Sequence, residues 1–413
     1  MKGVLSYILL VLSFYVYIYR PGFIAYPQLF TQLICVIILV GICLKWQKVN
    51  RYIYLFRWEL LASILLLFYS ILRYILGGEN YQVSINLCLM TELIFGPVLL
   101  VACVKRQKIV RGILLVSMIA SFISFLSLVF PQFKELLFSY FSYDDKLLIY
   151  VWRGFGLSND LLYTYSVAQA FIFCFLLETK NRVLIILGFI PFSVAVLFNA
   201  RIGLLPIALY FIYKVIVERR LSILLYLLAL IIVLVVVIVY SGIYDEYEST
   251  FSWLLDAFAE TSNVVLGTSF DVQSSNIEIL QNMIVYPSDL GEWIFGKGES
   301  IFGISGQNSD IGYIIQLNYG GIIYCILLAF FFFLIVYRLF KMGIKKEWYF
   351  FVVPILILLL NYKGDVFQSS SFMRVFMVIY LLTIIQYEKE KNNCKQTSHR
   401  HLFKYVRNCY KHK

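Results

Sequence analysis

The sequence predicts an all-α, polytopic integral membrane protein, and its composition and apolar spacing carry that prediction. Of its 413 residues, 61% are hydrophobic and 14% are charged, and the mean hydropathy is +0.82. Soluble domains are about 45–50% apolar and about 25% charged, so a single soluble core is too small for this apolar surface. The 32 Tyr and 36 Phe also exclude a disordered chain.

About twelve apolar stretches are close to the roughly 20 residues that an α-helix needs to cross a bilayer. The first is followed by Tyr19-Arg20-Pro21 with no small-residue cleavage site, so we expect a retained helix rather than a signal peptide. The chain, 1–413, is therefore expected to form a single membrane domain. The predicted spans are 4–19, 27–45, 58–76, 83–104, 111–130, 160–178, 182–198, 202–217, 221–241, 313–339, 348–362 and 371–386.

Charge distribution predicts the orientation of these spans. Of the 35 Lys and Arg, 26 fall in alternate loops and at the two ends of the chain, which is typical of the cytoplasmic side. Both termini are therefore expected in the cytoplasm. On the opposite side lie 17 of the 24 Asp and Glu, so the outer face is acidic. The basic tail, 387–413, is interpreted as a contact for anionic lipids or a stop-transfer flank rather than a nucleic-acid arm.

Two outer loops are long, at 131–159 and 242–312. Apolar residues recur at helical spacing from Phe133 to Phe141 and from Phe251 to Phe258, which predicts short helices lying in the membrane interface. Ser275 and Glu278 form a capping-box pattern in the second loop. Two interpretations stay open: the helices cap the outer surface, or they wall a lateral opening for a lipid-linked substrate.

The distribution of reactive side chains limits the chemistry that is available outside. All three His lie in the tail, and none of the eight Cys lies in an outer loop or has metal-site spacing. Triad hydrolysis, Cys-His catalysis and His-ligated zinc are therefore not expected there. The sequence has no P-loop and no nucleotide-binding glycine motif, which excludes ATP-driven transport by this chain alone. We expect no metal and no cofactor.

Four cations on the predicted outer side are candidates for binding an anion. Arg201 and Arg374 fall in the first turn of predicted helices, where the helix dipole favours an anion over a cation. Arg153 precedes the sixth span beside two glycines, and Lys363 precedes the last span. Arginine binds phosphate bidentately, so these residues are candidates for holding a pyrophosphate. Some of these assignments have an alternative that needs no substrate. The Arg201 side chain would extend to lipid headgroup phosphates at the membrane surface. Lys363 or Arg374 would form an ion pair with Asp365.

Three acids are candidates for proton transfer or substrate contact. Glu92 lies within the fourth span and must face the protein interior, either as a protonated, hydrogen-bonded carboxyl or in proton coupling or substrate contact. Asp310 lies just outside the tenth span, where it either caps the helix or acts as a general base. Asp160 follows Arg153 in the same motif, where it either caps the next helix or serves as a second candidate base.

Four stretches carry a resemblance to a known family. They are RGFGLSND at 153–160, NARIGLL at 199–205, LGEWIFGKGES at 290–300 and SDIGYIIQLNYGGIIY at 309–324. In this order, with a large outer loop before the last of them, they resemble the bacterial O-antigen and capsule repeat-unit polymerases (Wzy-type). These are integral-membrane glycosyltransferases that are related to the O-antigen ligases.

The resemblance implies a metal-independent reaction on the outer face of the bacterial plasma membrane. A glycan on undecaprenyl pyrophosphate is transferred to an incoming lipid-linked repeat unit, and outer arginines, here Arg153 and Arg201, recognise the pyrophosphate. It also implies membrane lipids, a chain-length regulator and a flippase as partners. A carboxylate would serve as base, Asp310 first and Asp160 second.

Two rival functions stay open. A flippase for the same lipid-linked oligosaccharides would share twelve spans and buried charges, although the long outer loop and the absence of a twofold organisation disfavour it. A ligase is the other rival. It is disfavoured because relatives carry a His where this chain has Gln307-Asn308.

Overall fold

The structure, a computed structural model, is entirely helical in its regular elements and describes most of the chain. The described residues are 2–21, 27–139, 156–158, 163–179, 181–219, 259, 282–299, 301, 309–343 and 347–409. Within these ranges, six helices are long and apolar enough to cross a membrane, and five shorter apolar helices accompany them. An all-α membrane protein is thus supported. The predicted count of twelve is not, because the span 221–241 lies outside the described residues.

The helices follow the predicted spans closely. The first third of the chain contains α1 (Lys2–Tyr19), α2 (Pro27–Leu55), α3 (Arg57–Ile75), α4 (Tyr81–Cys88), a π-helix (Leu89–Phe95), α5 (Gly96–Cys103), α6 (Arg106–Val129) and α7 (Pro131–Ser139). Then come α8 (Tyr163–Glu178), α9 (Arg182–Leu197), a 3₁₀ turn (Arg201–Gly203), α10 (Leu204–Ile216), α11 (Leu290–Phe295), α12 (Gly312–Met342), α13 (Tyr349–Lys363) and α14 (Ser371–Cys409).

The loop predictions are tested in part. The helix expected near Phe133 is present as α7, one of whose apolar residues, Leu136, is exposed. The interfacial helix at 251–258 and the capping box at Ser275 lie outside the described residues. A variant of the capping box forms before α11: the N-cap residue Asp289 accepts from the Glu292 N–H at 2.9 Å, and Glu292 accepts from the N–H of the preceding residue, Ser288, at 2.7 Å.

The fourth predicted span is broken by a π-helix that widens the turn around Glu92. The N–H of Gly96 donates to the Thr91 carbonyl, five residues back. By the same spacing, the donor for the Glu92 carbonyl would be Pro97, which has no N–H. The Tyr17 hydroxyl from α1 donates to that carbonyl instead, at 2.7 Å. A proline thus frees a carbonyl, and α1 docks on it.

The tenth predicted span, α12, is broken at Gly321. Its φ of 64° is left-handed, and a Cβ there would lie 2.3 Å from the Ile294 carbonyl oxygen. Gly296 and Gly298, with φ of 75° and 81°, form a tight turn beside the break. The chain also packs closely at Gly320, where a Cβ would lie 2.3 Å from the Tyr324 Cβ. The tenth predicted span is therefore present, but its helix is not continuous.

The break exposes carbonyls of α12, and the turn after α11 and a tyrosine of α3 supply their donors. Buried carbonyls need such partners wherever a membrane helix is interrupted. Lys297 N donates to Asn318 O (2.6 Å), Gly298 N to Tyr319 O (2.9 Å), and the Tyr69 hydroxyl to Gly320 O (2.7 Å). The 290–300 motif is thereby attached to the 309–324 motif.

Charged pairs mark one end of the bundle, which the sequence assigns to the cytoplasm. Lys214 lies 2.5 Å from both Glu178 and Glu218. Arg338 contacts the Glu59 carboxylate at 2.9 Å. These contacts join segments whose predicted side is the same, as the alternation of basic loops requires.

Candidate active site

Several chain segments meet at the other end of the bundle, which we call the site end. It contains the end of α1, residues 156–158, the start of α8, the turn 199–203, and the segments that precede α12 and α14. The end of α1 contacts residues 156–158 through a backbone bridge between Pro21 and Ser158. The start of α8 contacts two segments: the Ser166 hydroxyl donates to Ala200 O (3.1 Å), and Thr164 O accepts from the Ser371 hydroxyl (3.4 Å). The start of α12 packs on the connection before α14, since a Cβ on Gly312 would lie 2.7 Å from Gly364 O. The site end thus joins parts of three of the four motif stretches.

A buried ion cluster lies beneath the site end. Glu92 and Arg374 are both 0% exposed, and Arg374 Nη1 donates to Glu92 Oε2 at 3.2 Å. Arg20 forms a second ion pair with Glu92, and the Ser369 hydroxyl donates to the same carboxylate. The other Arg374 donors reach the carbonyls of Ile18 (2.7 and 3.0 Å) and Ser369 (2.6 Å).

Glu92 thus contacts two guanidinium groups, and the Arg374 donors described above reach protein groups. The alternatives for Glu92 and the pyrophosphate contact of Arg374 stay predictions. Ser370 caps α14, since its Oγ accepts from the Met373 N–H at 3.3 Å. The cluster ties α1, the π-helix and α14 together.

Asp365 lies nearer the surface, in the connection between α13 and α14, and is 8% exposed. Its Oδ1 accepts from Gln316 Nε2 at 2.9 Å and from the Phe367 N–H at 3.2 Å. Gln316 in turn exchanges two hydrogen bonds with Asn361, at 3.0 and 3.1 Å. The Gln316 side chain of α12 thus holds Asp365, and the Asn361 side chain of α13 fixes the orientation of Gln316. Among the described residues, no ion pair includes it.

Asp310 is half-buried and shares a neighbour with Asp365. Tyr163, the first residue of α8, interacts electrostatically with both carboxyls. Asp310 does not cap α12, because the N-cap residue is Ile311 and no described side chain caps the helix. Lys363 is the last residue of α13 and is partly exposed, two residues before Asp365.

Three predicted site residues are only partly placed. The backbone of Arg201 opens the 3₁₀ turn at the site end, as its motif predicts, but its side chain lies outside the described part of the structure. Arg153 and Asp160 lie outside the described residues. Gly156 and Ser158, from the same motif, are held at the site end by Tyr15, whose hydroxyl donates to the Gly156 carbonyl, and by Tyr19, whose carbonyl accepts from Ser158.

Sequence reasoning missed two contributors, Arg20 and Asp365. Arg20 appeared only as a charge at the end of the first span, and Asp365 only as an ion-pair partner. An available signal was the pairing of a carboxylate with polar amides at matching depth in two predicted spans, Gln316 and Asn361. Which of these side chains meet depends on helix rotation, which a hydropathy pattern does not give.

The site end offers carboxylates, amides, tyrosines and arginines. Within the described ranges, no three His, Cys, Asp or Glu side chains group as a metal site requires. A comparison of the chain with known protein families finds no match, and neither does a comparison with curated proteins. The four motif stretches therefore remain the basis of the resemblance to repeat-unit polymerases.

Proposed function

We propose that this protein is a polysaccharide polymerase that joins undecaprenyl-pyrophosphate-linked oligosaccharide repeat units on the outer face of the plasma membrane. One observation carries the proposal. The site end collects parts of three motif stretches and two carboxyls, those of Asp310 and Asp365, around Tyr163. This end is also the one that the charge distribution assigns to the outside.

The reaction balances with groups that this chain supplies. The acceptor sugar's hydroxyl oxygen attacks the anomeric carbon of the donor, and the bond from that carbon to the pyrophosphate oxygen breaks. The pyrophosphate leaves with the bonding electrons, and the hydroxyl proton passes to a carboxylate at the site end. Arg153, Arg201 and Lys363 would stabilise the charge that develops on the leaving group.

A flippase for the same substrate is the second candidate, and the break in α12 favours it. Discontinuous helices line the substrate sites of many transporters. Here, however, the carbonyls that the break exposes at Asn318, Tyr319 and Gly320 are satisfied by protein donors. The break therefore also has a structural explanation, as the docking site of the turn after α11.

Deletion of the gene in its host, followed by analysis of chain length, separates these functions. A polymerase mutant retains single repeat units and loses polymer. Loss of all repeat units from the surface would indicate a flippase, and polymer left on its lipid carrier would indicate a ligase. Plasmid copies of wild type and of Arg201→Ala, matched for protein in the membrane, show whether the phenotype depends on the site.

A further inference from the structure

The cradle around Asp365 differs in kind from the cluster around Glu92, although both hold a carboxyl near the site end. Glu92 contacts two guanidinium groups and is 0% exposed. Asp365 is held by amide and backbone N–H donors and keeps a small exposed fraction of 8%. Asp365 is therefore held by neutral donors, and within the described ranges it forms no ion pair of the kind that favours the charged form of a carboxyl.

The groups that face Asp365 come from four neighbouring elements and are mainly aromatic. The titratable and charged groups near it are Tyr81 of α4, Tyr163 of α8, Tyr324 of α12, Asp310 and Lys363, with Gln368 as a further hydrogen-bond donor. Tyr81 is exposed and Tyr163 is half-buried, so their rings can pack against a sugar whose hydroxyl groups donate to the carboxylate, whereas Tyr324 is buried and bonded to Gln82 and Asn86.

Burial also adjusts the proton affinity of this carboxyl. Asp365 lies in the connection between α13 and α14, outside both helices, and burial raises its pKa to about 6. Hydrogen bonds from Gln316, the Phe367 N–H and Gln368 partly oppose that rise. Proton acceptors work best when their pKa lies near the working pH, so a carboxyl at about 6 suits this role better than an ordinary surface Asp.

We infer that Asp365 is the group that accepts the proton from the acceptor sugar's hydroxyl, with Gln316 as the positioning residue that fixes its orientation. This inference rests on the proposed polymerase function and replaces Asp310 as the base. The hydroxyl O–H bond breaks, its oxygen forms the new bond to the anomeric carbon, the pyrophosphate leaves, and the proton resides on Asp365. Asp310, which also interacts electrostatically with Tyr163, then takes no proton.

The experiment measures polymer formation in membranes of a deletion strain that accumulates single lipid-linked repeat units, with those repeats as the substrate. Asp365→Asn keeps the hydrogen bond from the Phe367 N–H, so it removes the base with little change in the turn. We expect at least a hundredfold loss of rate for Asp365→Asn, partial recovery for Asp365→Glu, and a smaller loss for Asp310→Asn. The matched control is Asp289→Asn, an N-cap of α11 where Asn caps equally well.

The pH profile separates a proton acceptor from a structural carboxyl. Wild-type rate should fall about tenfold per pH unit below about pH 6, because a base acts only when deprotonated. Gln316→Leu removes a donor that favours the charged form, so the acid limb should move to higher pH. A merely structural Gln316 would lower the rate with no such shift.

The outcomes distinguish this inference from the proposed function. If wild-type membranes form no polymer although the repeats and the protein are present, the polymerase proposal fails. If wild type is active and Asp365→Asn, at equal protein level and equal thermal stability, keeps its rate while Asp310→Asn loses it, only the inference fails. If Asp365→Asn is poorly folded, an unshifted acid limb in Gln316→Leu refutes the inference.

Discussion

Glu92→Gln tests the ion cluster that joins α1, the π-helix and α14. The substitution keeps the size and hydrogen-bonding capacity of the side chain but removes the negative charge shared by Arg20 and Arg374. Removing one partner of a buried pair costs about 3–5 kcal/mol, because the remaining charge stays buried. We expect about 3 kcal/mol, at the lower end, because Gln still accepts a hydrogen bond and the Arg20 side chain is 14% exposed.

Thermal unfolding of the detergent-purified protein, followed by fluorescence-detected size exclusion, measures this effect. In a chain of this length each kcal/mol corresponds to about 2 °C or less, so Tm should fall by roughly 5 °C. Glu135→Gln makes the same chemical change at an exposed position of α7 and should leave Tm within about 1 °C.

A double-mutant cycle tests whether the effect belongs to the pair. Because both side chains of the pair are buried, Glu92→Gln combined with Arg374→Met should cost clearly less than the sum of the two single changes. A Glu92→Gln protein as stable as the wild type, or strictly additive losses, would contradict the reasoning.

Three further predictions follow from the break in α12, the arginine motif and the charge distribution. Gly321→Ala should lower Tm, because its φ of 64° and ψ of −166° are essentially restricted to Gly, at a cost of about 1–3 kcal/mol for another residue, and its Cβ would meet the Ile294 carbonyl. Gly291→Ala is the matched control, because its φ is ordinary and the nearest atom to its Cβ is a side-chain oxygen of Asp289 at 3.1 Å; equal Tm values would argue against the break. Arg201→Lys should lose nearly as much polymer as Arg201→Ala, because Lys lacks the bidentate fork; full activity with Lys would show that charge alone suffices. A single cysteine at Ser262 should react with an impermeant reagent in intact cells or spheroplasts, and protection until lysis would reverse the predicted topology.

The sequence by itself predicts the helices and their sides. Apolar stretches near 20 residues predict eleven of the helices within the described ranges, since burial in lipid depends on composition along the chain. Gly296 and Gly298 stand where a positive φ is needed, which is nearly free only for Gly. Apolar length is a local property, which a linear pattern records directly, whereas the break at Gly321 is not predicted by it.

Only the tertiary structure decides which polar side chains meet. Glu92 pairs with Arg374 although 282 positions separate them, and Asp365 takes its amide from Gln316 rather than a cation from its own connection. The sequence shows that each of these charges must be satisfied, but the partner depends on the rotation and depth of each helix in the bundle. The π-helix and the break in α12 affect that rotation in two helices, and hydropathy predicts neither of them. Each arises where a proline or a glycine leaves backbone groups without a partner in their own helix. A neighbouring helix or turn then supplies the missing hydrogen bonds.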